Sequence, residues 1–369
     1  MPLTPATCGI ICLLASTTTS PIQQQQNDFL SSNVFIGGLG YAGSRIASAF
    51  HDAHPSAKIS GTVRSPERRE SLLSTKPSWL TGNVHVLDLD NEYIGLDSKG
   101  VADLLGADTI VQTVAPIADF DRDPILAFHG ESLMEGLSSS SSALKYVAYI
   151  SSTGVYGNHN GEWVAEEEDE SSSSEVLRCT DAKSLARIQA EKEWGKLEYR
   201  KENDAVSNIP NFPRVDYFRC GGIYGPGRGP LFSPLESLTE SISSPEEDDV
   251  GEVKYVNRII VDDICSAILS GAKGNRPYYS GGRAYNLVDD DPSPRRAVIA
   301  EARRLILAAR GDDGITEETT PSTKKRRRRM SRGTGNKRCI NTRLKAEYGW
   351  TPAAPSFREG LLHLSLHEF

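Results

Sequence analysis

Gly38, Gly40 and Gly43 stand at the spacing G-x-G-x-x-G, and Gly37, Gly40 and Gly43 read equally as G-x-x-G-x-x-G. Glycines at such a turn permit backbone angles closed to other residues, so the main chain can touch a ligand. Val34, Phe35 and Ile36 ahead of them are β-branched or aromatic. Ile46, Ala47, Ala49 and Phe50 behind them recur at helical spacing. The order predicts a strand, a tight turn and a helix whose free N–H groups face an anion, an arrangement suited to the diphosphate of a dinucleotide. Gly37, Leu39, Gly40, Tyr41 and Gly43 form the candidate cradle. The competing reading is a turn where two segments merely pack closely.

A second candidate lies about twenty residues on, where a carboxylate would accept the ribose hydroxyls of NAD. The chain instead reads Thr62-Val63-Arg64-Ser65, with Arg68 and Arg69 close behind. A guanidinium offers a planar fork of donors to a 2′-phosphate, which favours NADP over NAD. The bland alternative has Arg64 covering the sheet edge or a turn.

These residues need a scaffold, and strand-like runs recur at Lys58 to Val63, Val84 to Leu87, Thr109 to Val114, Tyr146 to Ile150, Val215 to Phe218 and Ala284 to Val288. Helical patterns lie between several of them. The alternation predicts βαβ units: an α/β, Rossmann-type doubly wound parallel sheet, with a smaller, discontinuous C-terminal substrate domain. The expected division is a disordered N-terminal extension over 1–31, a cofactor domain over 32–221 with a later strand near 284–288, and a mainly substrate-binding region over 222–369. Inserts at Ser138 to Ser142, Glu166 to Ser174 and Gly311 to Thr334 are of low complexity. The last holds Lys324 to Arg329, which matches a nuclear-import or polyanion-binding patch and equally a solvated charged loop.

With 369 residues the chain can bury a substantial core, and its net charge of −8 argues against a general nucleic-acid role. Cys8, Cys12, Cys179, Cys220, Cys265 and Cys339 are scattered, without a C-x-x-C pair or metal-ligand spacing, as free thiols in a reducing compartment would be. No metal is expected. The first thirty-odd residues contain no Lys or Arg, which speaks against both a secretory signal and a transit peptide, although Ala15-Ser16-Thr17 could pass for a cleavage region. A cytoplasmic protein with a small-molecule substrate and no membrane or nucleic-acid partner is expected; organelle targeting and oligomeric state stay open.

Tyr149-Ile150-Ser151-Ser152-Thr153-Gly154-Val155-Tyr156-Gly157 resembles the YxSSxxVYG segment of extended short-chain dehydrogenases/reductases. Arg219 to Gly227 is similar to that group's RxxxxYGPG segment. Asn257 to Asp263 is similar to its IHVDD segment, with Ile260 where histidine is common. Asn286 to Asp290, and the region from Lys337 to Leu344 ahead of Gly349-Trp350, resemble the atypical NAD(P)-dependent epimerase/dehydratase-like subgroup. The resemblance runs in order from Asn33 to near the C-terminus. It implies that Ser152 hydrogen-bonds the reacting oxygen of the substrate, that Asp88 and Leu89 flank the adenine, and that Thr113 to Pro116, Ala115 included, lies beside the nicotinamide ribose. The bland role for Ser152 is a hydroxyl capping the strand end. Tyr156 is expected to be a wall of the site.

The chain departs from this family at its YxxxK pair. Aligning on Ala190-Glu191 places Lys183 where the tyrosine should be and Arg187 where the lysine should be; no Tyr has a Lys four residues later. Lys183 could serve as proton donor if burial depressed its pKa, and Arg187 could hold the ribose. The alternative is a solvated helix face. Either an altered enzyme, an oxidoreductase or epimerase, or a cofactor-binding sensor or scaffold is compatible with this substitution. Arg219, Arg228 and Arg258 are candidates for an anionic substrate or for ion pairs inside the fold.

Overall fold

A computed structural model describes residues 32–89, 94–117, 122–138, 142–167, 176–198, 212–235, 237–238, 253–274, 276–277, 279, 281–311 and 335–368. The N-terminal extension, the Lys324 to Arg329 run and most of the three low-complexity inserts lie outside these residues.

The chain begins with β1 (Asn33–Gly37), α1 (Tyr41–Ala53), β2 (Lys58–Val63), α2 (Pro66–Thr75), β3 (Val84–Val86), α3 (Ser98–Leu105) and β4 (Thr109–Gln112). It continues through α4 (Pro124–Ser138), β5 (Tyr146–Ser152), a 3-10 turn (Thr153–Tyr156), β6 (Trp163–Val164), α5 (Ala182–Gly195) and β7 (Arg214–Cys220). Beyond these come β8 (Gly222–Tyr224), β9 (Tyr255–Val256), β10 (Arg258–Ile260), α6 (Val261–Lys273) and β11 (Arg283–Leu287). The last elements are β12 (Ser293–Pro294), α7 (Arg295–Ala309), β13 (Arg338–Cys339), α8 (Thr342–Tyr348) and α9 (Phe357–Glu368).

Seven of these strands form one sheet in the order β11-β7-β5-β4-β1-β2-β3, every pairing parallel. The strand order reverses between β1 and β4, so the crevice above their C-terminal ends is where such a sheet receives a ligand. Burial on both faces explains the near-continuous apolar runs. Val34 and Ile36 pack with Ile46 and Phe50 of α1 and Ile264 and Ile268 of α6. Phe35 points the other way, toward Leu104, Leu133 and Trp194 of α3, α4 and α5. Fully burying a side chain such as Phe35 stabilises by roughly 1.5–3 kcal/mol.

Smaller pairings lie outside this sheet: β8 with β10, β9 with β12, and β6 with β13. Tyr224 and Ile260 of the first pair join Val298 and Ile306 of α7 and Phe357 and Leu361 of α9 in a separate core. Among the described residues no helix is long and apolar enough to cross a membrane. Cys179, Cys220, Cys265 and Cys339 are buried free thiols.

Candidate active site

The glycine turn closes at the switch point. Gly38 takes φ +91, its N–H donates to Thr62 Oγ1 (2.8 Å), and the Leu39 N–H donates to the Thr62 carbonyl (2.7 Å). A Cβ on Gly43 would overlap the Gly38 carbonyl oxygen, so this glycine lets α1 pack on the turn. Gly40 differs: a Cβ there would meet nothing within 4 Å. Gly40 is also the N-cap of α1 and supplies no side-chain hydrogen bond, as at α6, α7 and α8, whereas Ser65, Asp97 and Asp181 cap α2, α3 and α5 with their side chains. The first amides of α1 thus lack a side-chain cap beside open space, as an anion site requires.

Thr113 stands one residue beyond β4 and fastens the turn. Its hydroxyl lies 2.9 Å from the Gly37 carbonyl oxygen and 2.8 Å from that of Gly38, and its N–H donates to Gly37 (2.8 Å). Ala115 is exposed two residues on. Arg64 is exposed immediately after β2, ahead of α2. Asp88 and Leu89 are half-buried just past β3, and Asp88 shares a cleft of about 420 Å³ with Arg69, His85 and Lys99. The sequence-predicted cofactor residues therefore lie between the last residue of β1 and the first turn of α1, or just beyond the C-terminal ends of β2, β3 and β4.

Ser152 ends β5 in the same row. Its Oγ accepts the Gly154 N–H (3.1 Å), capping the 3-10 turn. This bond uses a lone pair and leaves the hydroxyl proton available to another acceptor. Sequence reasoning missed Ser184. A Cβ on Gly154 would lie 3.0 Å from Ser184 Oγ and 3.4 Å from Ser152 Oγ, so the two hydroxyls converge on the same glycine. The signal was present but weak: Ser184 directly follows the position where the family tyrosine belongs.

Lys183 is exposed on α5, and Arg187, half-buried one turn later, donates to the Lys183 carbonyl (3.2 Å). Tyr149, on the strand beneath, keeps a buried hydroxyl without a hydrogen-bond partner. Burial, reinforced by Asp123 and Glu191, pushes its pKa far above the ordinary phenol range, with Arg187 opposing.

Below this row lies a charge network. Arg219 is 1 % exposed and meets Glu191 (Nη2 to Oε2, 2.7 Å) and Glu167 (Nη1 to Oε2, 2.5 Å). Burial works against the charge on Glu167, yet Arg219 holds its pKa below the usual carboxylate range. Tyr156 is corrected here: it is fully buried, donates to Asn286 Oδ1 (2.7 Å) and accepts from Arg219 (3.1 Å), so it belongs to this network and not to a site wall. Arg219 is likewise spent inside the fold. Arg258 donates to the carbonyls of Val256 (3.1 Å) and Ser293 (3.3 Å).

The same architecture occurs in solved structures. A functionally unknown conserved protein from Silicibacter pomeroyi is 26% identical, with 91% of this chain and 99% of that one covered at a TM-score of 0.60. The dTDP-glucose 4,6-dehydratase of Bacillus anthracis, solved in complex with NAD, is 16% identical over 90% of this chain and 95% of its own, at a TM-score of 0.57. The chain shares the α/β, Rossmann-like fold of these epimerase and dehydratase structures. A third example, the ADP-L-glycero-D-manno-heptose-6-epimerase of Helicobacter pylori, is 14% identical over 92% of this chain and 97% of its own, at a TM-score of 0.56. No family model matches the sequence, and no curated protein does. In this fold the glycine turn lies at the strand-order reversal, and α5 carries Lys183 and Arg187.

Proposed function

We propose that the chain is an NADP-binding oxidoreductase or epimerase acting on a sugar nucleotide or another small hydroxyl or carbonyl compound. The observation that carries this reading is the start of α1, where Gly40 leaves the first helical amides without a side-chain cap beside open space. A diphosphate fits there by charge and by shape. Arg64, just ahead of α2, with Arg69 in that helix, supplies donors suited to a 2′-phosphate. The reading assigns 32–221 with the 284–288 strand to the cofactor and 222–369 mainly to the substrate.

When bound, the nicotinamide ring supplies a hydride acceptor or donor at C4. The protein's own part is to orient and polarise. Ser152, its oxygen already engaged by Gly154, donates its proton toward the reacting oxygen, and the Ser184 hydroxyl lies on the same side of Gly154. Arg187 is assigned the ribose hydroxyls, a task that needs donors only. Two fold relatives are named for sugar-nucleotide chemistry: the heptose epimerase above and a UDP-galactose 4-epimerase. The test is a screen of sugar nucleotides and small alcohols with NADP, followed at the nicotinamide absorbance. Turnover abolished by Ser152→Ala supports the assignment, and unchanged turnover in that variant removes Ser152 from it.

A second reading rests on the exposure of Lys183. The ammonium points into solvent on a helix face instead of into the crevice where the reacting oxygen would lie. On this reading the protein holds NADPH as a sensor or scaffold and transfers no hydride. Reproducible turnover with any compound ends it.

A further inference from the structure

The ring of Tyr41, the first residue of α1, carries two guanidinium groups. Arg45, one turn along the same helix, lies 5.8 Å from the ring centroid, and Arg228, from the loop after β8, lies 5.1 Å from it. Arg45 has an ionic partner in Asp262 (3.5 Å). Arg228 is exposed and makes no ion pair among the described residues.

The loop is shaped to hold Arg228 in this place. Gly225 and Arg228 exchange N–H···O bonds of 3.0 and 2.9 Å around Pro226 and Gly227, and Gly227 takes φ +70. Proline then glycine at the centre of such a turn fixes its course. Gly225, at φ +154, lies so close to α1 and α6 that a Cβ would stand 2.6 Å from Tyr41 Oη and 2.7 Å from Val261 Cγ1. The loop is thus seated against the start of the very helix whose N-terminus faces the open crevice.

Among the described residues the charges there do not balance. A helix start carries a positive partial charge of about half a unit, so cations beside it are unfavourable unless an anion joins them. We infer that Arg228 closes the diphosphate cradle of the nicotinamide dinucleotide from the loop after β8. Seating of that loop and binding of the diphosphate are then one event. This rests on the proposed cofactor reading of the glycine turn and adds a ligand from outside the glycine motif. The same guanidinium chemistry would suit the diphosphate of a substrate; its place on Tyr41, at the head of α1, assigns it to the cofactor.

The experiment is calorimetric titration of the full-length chain, without substrate, with NADPH, NADH, 2′-phospho-ADP-ribose and 2′-AMP. Arg228→Ala should weaken the first three by about tenfold. Binding of 2′-AMP, which has no diphosphate, should stay as in the unaltered protein. Arg228→Lys should recover part of the loss, and thermal melts of both variants should match the parent because the side chain is exposed. Unchanged affinity of Arg228→Ala for NADPH and 2′-phospho-ADP-ribose overturns the inference while leaving the cofactor reading intact. An equal loss for all four ligands overturns it too, since that would be a general charge effect. If the unaltered chain binds none of the four, the cofactor reading itself fails and this inference with it.

Discussion

The Ser151 hydroxyl donates to Glu191 Oε1 across 2.5 Å, joining the strand that ends in Ser152 to the helix that carries Lys183 and Arg187. Glu191 also receives Arg219 through Nε (3.1 Å) and Nη2 (2.7 Å), all three residues being buried. One carboxylate therefore sets the distance between the two elements from which a catalytic pair would come.

Removing that carboxylate should be costly. Glu191→Ala leaves a buried guanidinium with Glu167 as its remaining ionic partner, and breaking a buried pair typically costs about 3–5 kcal/mol. Urea unfolding should show a loss near the lower end of that range, because Glu167 stays. Glu191→Gln, which keeps an acceptor for Ser151, should lose less. Equal stability of Glu191→Ala and the parent would remove the network from any role in holding α5 to β5.

Gly40 and Gly43 should separate folding from binding. Gly43→Ala drives a Cβ into the Gly38 carbonyl and should destabilise by about 2 kcal/mol or more. Gly40→Ala meets no protein atom within 4 Å at φ −87, so its stability should stay within about 1 kcal/mol of the parent. Its methyl group nevertheless occupies the space of the proposed diphosphate. Melting curves beside NADPH titrations check both, and full NADPH affinity in Gly40→Ala would speak against the cradle.

Arg64 should decide between the two nicotinamide cofactors. Arg64→Glu is expected to weaken NADPH by tenfold or more and to leave NADH equal or improved, because a carboxylate repels a 2′-phosphate and accepts ribose hydroxyls. A parallel loss for both cofactors would show that Arg64 does not read the 2′ position.

Asp289 predicts how stability follows pH. Its carboxylate is buried, and burial, against the pull of Arg258 and the Asp291 backbone N–H, raises its pKa to about 8. An unfolded carboxyl releases its proton near ~3.9. Between these values the folded state binds more proton than the unfolded one, so stability is full at the acid end and is lost as pH rises toward 8. The ceiling is roughly 1.4 kcal/mol per pH unit. Asp289→Asn, neutral throughout, should melt like the parent near pH 4 and higher than the parent at pH 8. A parent-like melting temperature at pH 8 would mean that Asp289 ionises without cost.

Much of this architecture was legible in the sequence. The run Lys58 to Val63 coincides with β2, and the other predicted strands fall within two residues of the observed ends at each terminus, because buried parallel strands demand apolar runs. The glycine turn was legible because backbone geometry admits so few alternatives at Gly38 and Gly43.

What the chain determined by itself was therefore local: which segments become strands, where the turn closes, and that no Tyr is followed by a Lys four residues later. Contacts between distant residues were decided only by the tertiary structure. Tyr156 and Arg219, 63 residues apart, meet in a buried network instead of lining the site. The hydroxyls of Ser184 and Ser152, 32 residues apart, come together on one side of Gly154. Arg228, remote in sequence from Tyr41, comes to rest on its ring. Propensity and spacing act over a few residues, whereas burial and ion pairing depend on which surfaces the packed sheet and helices bring together.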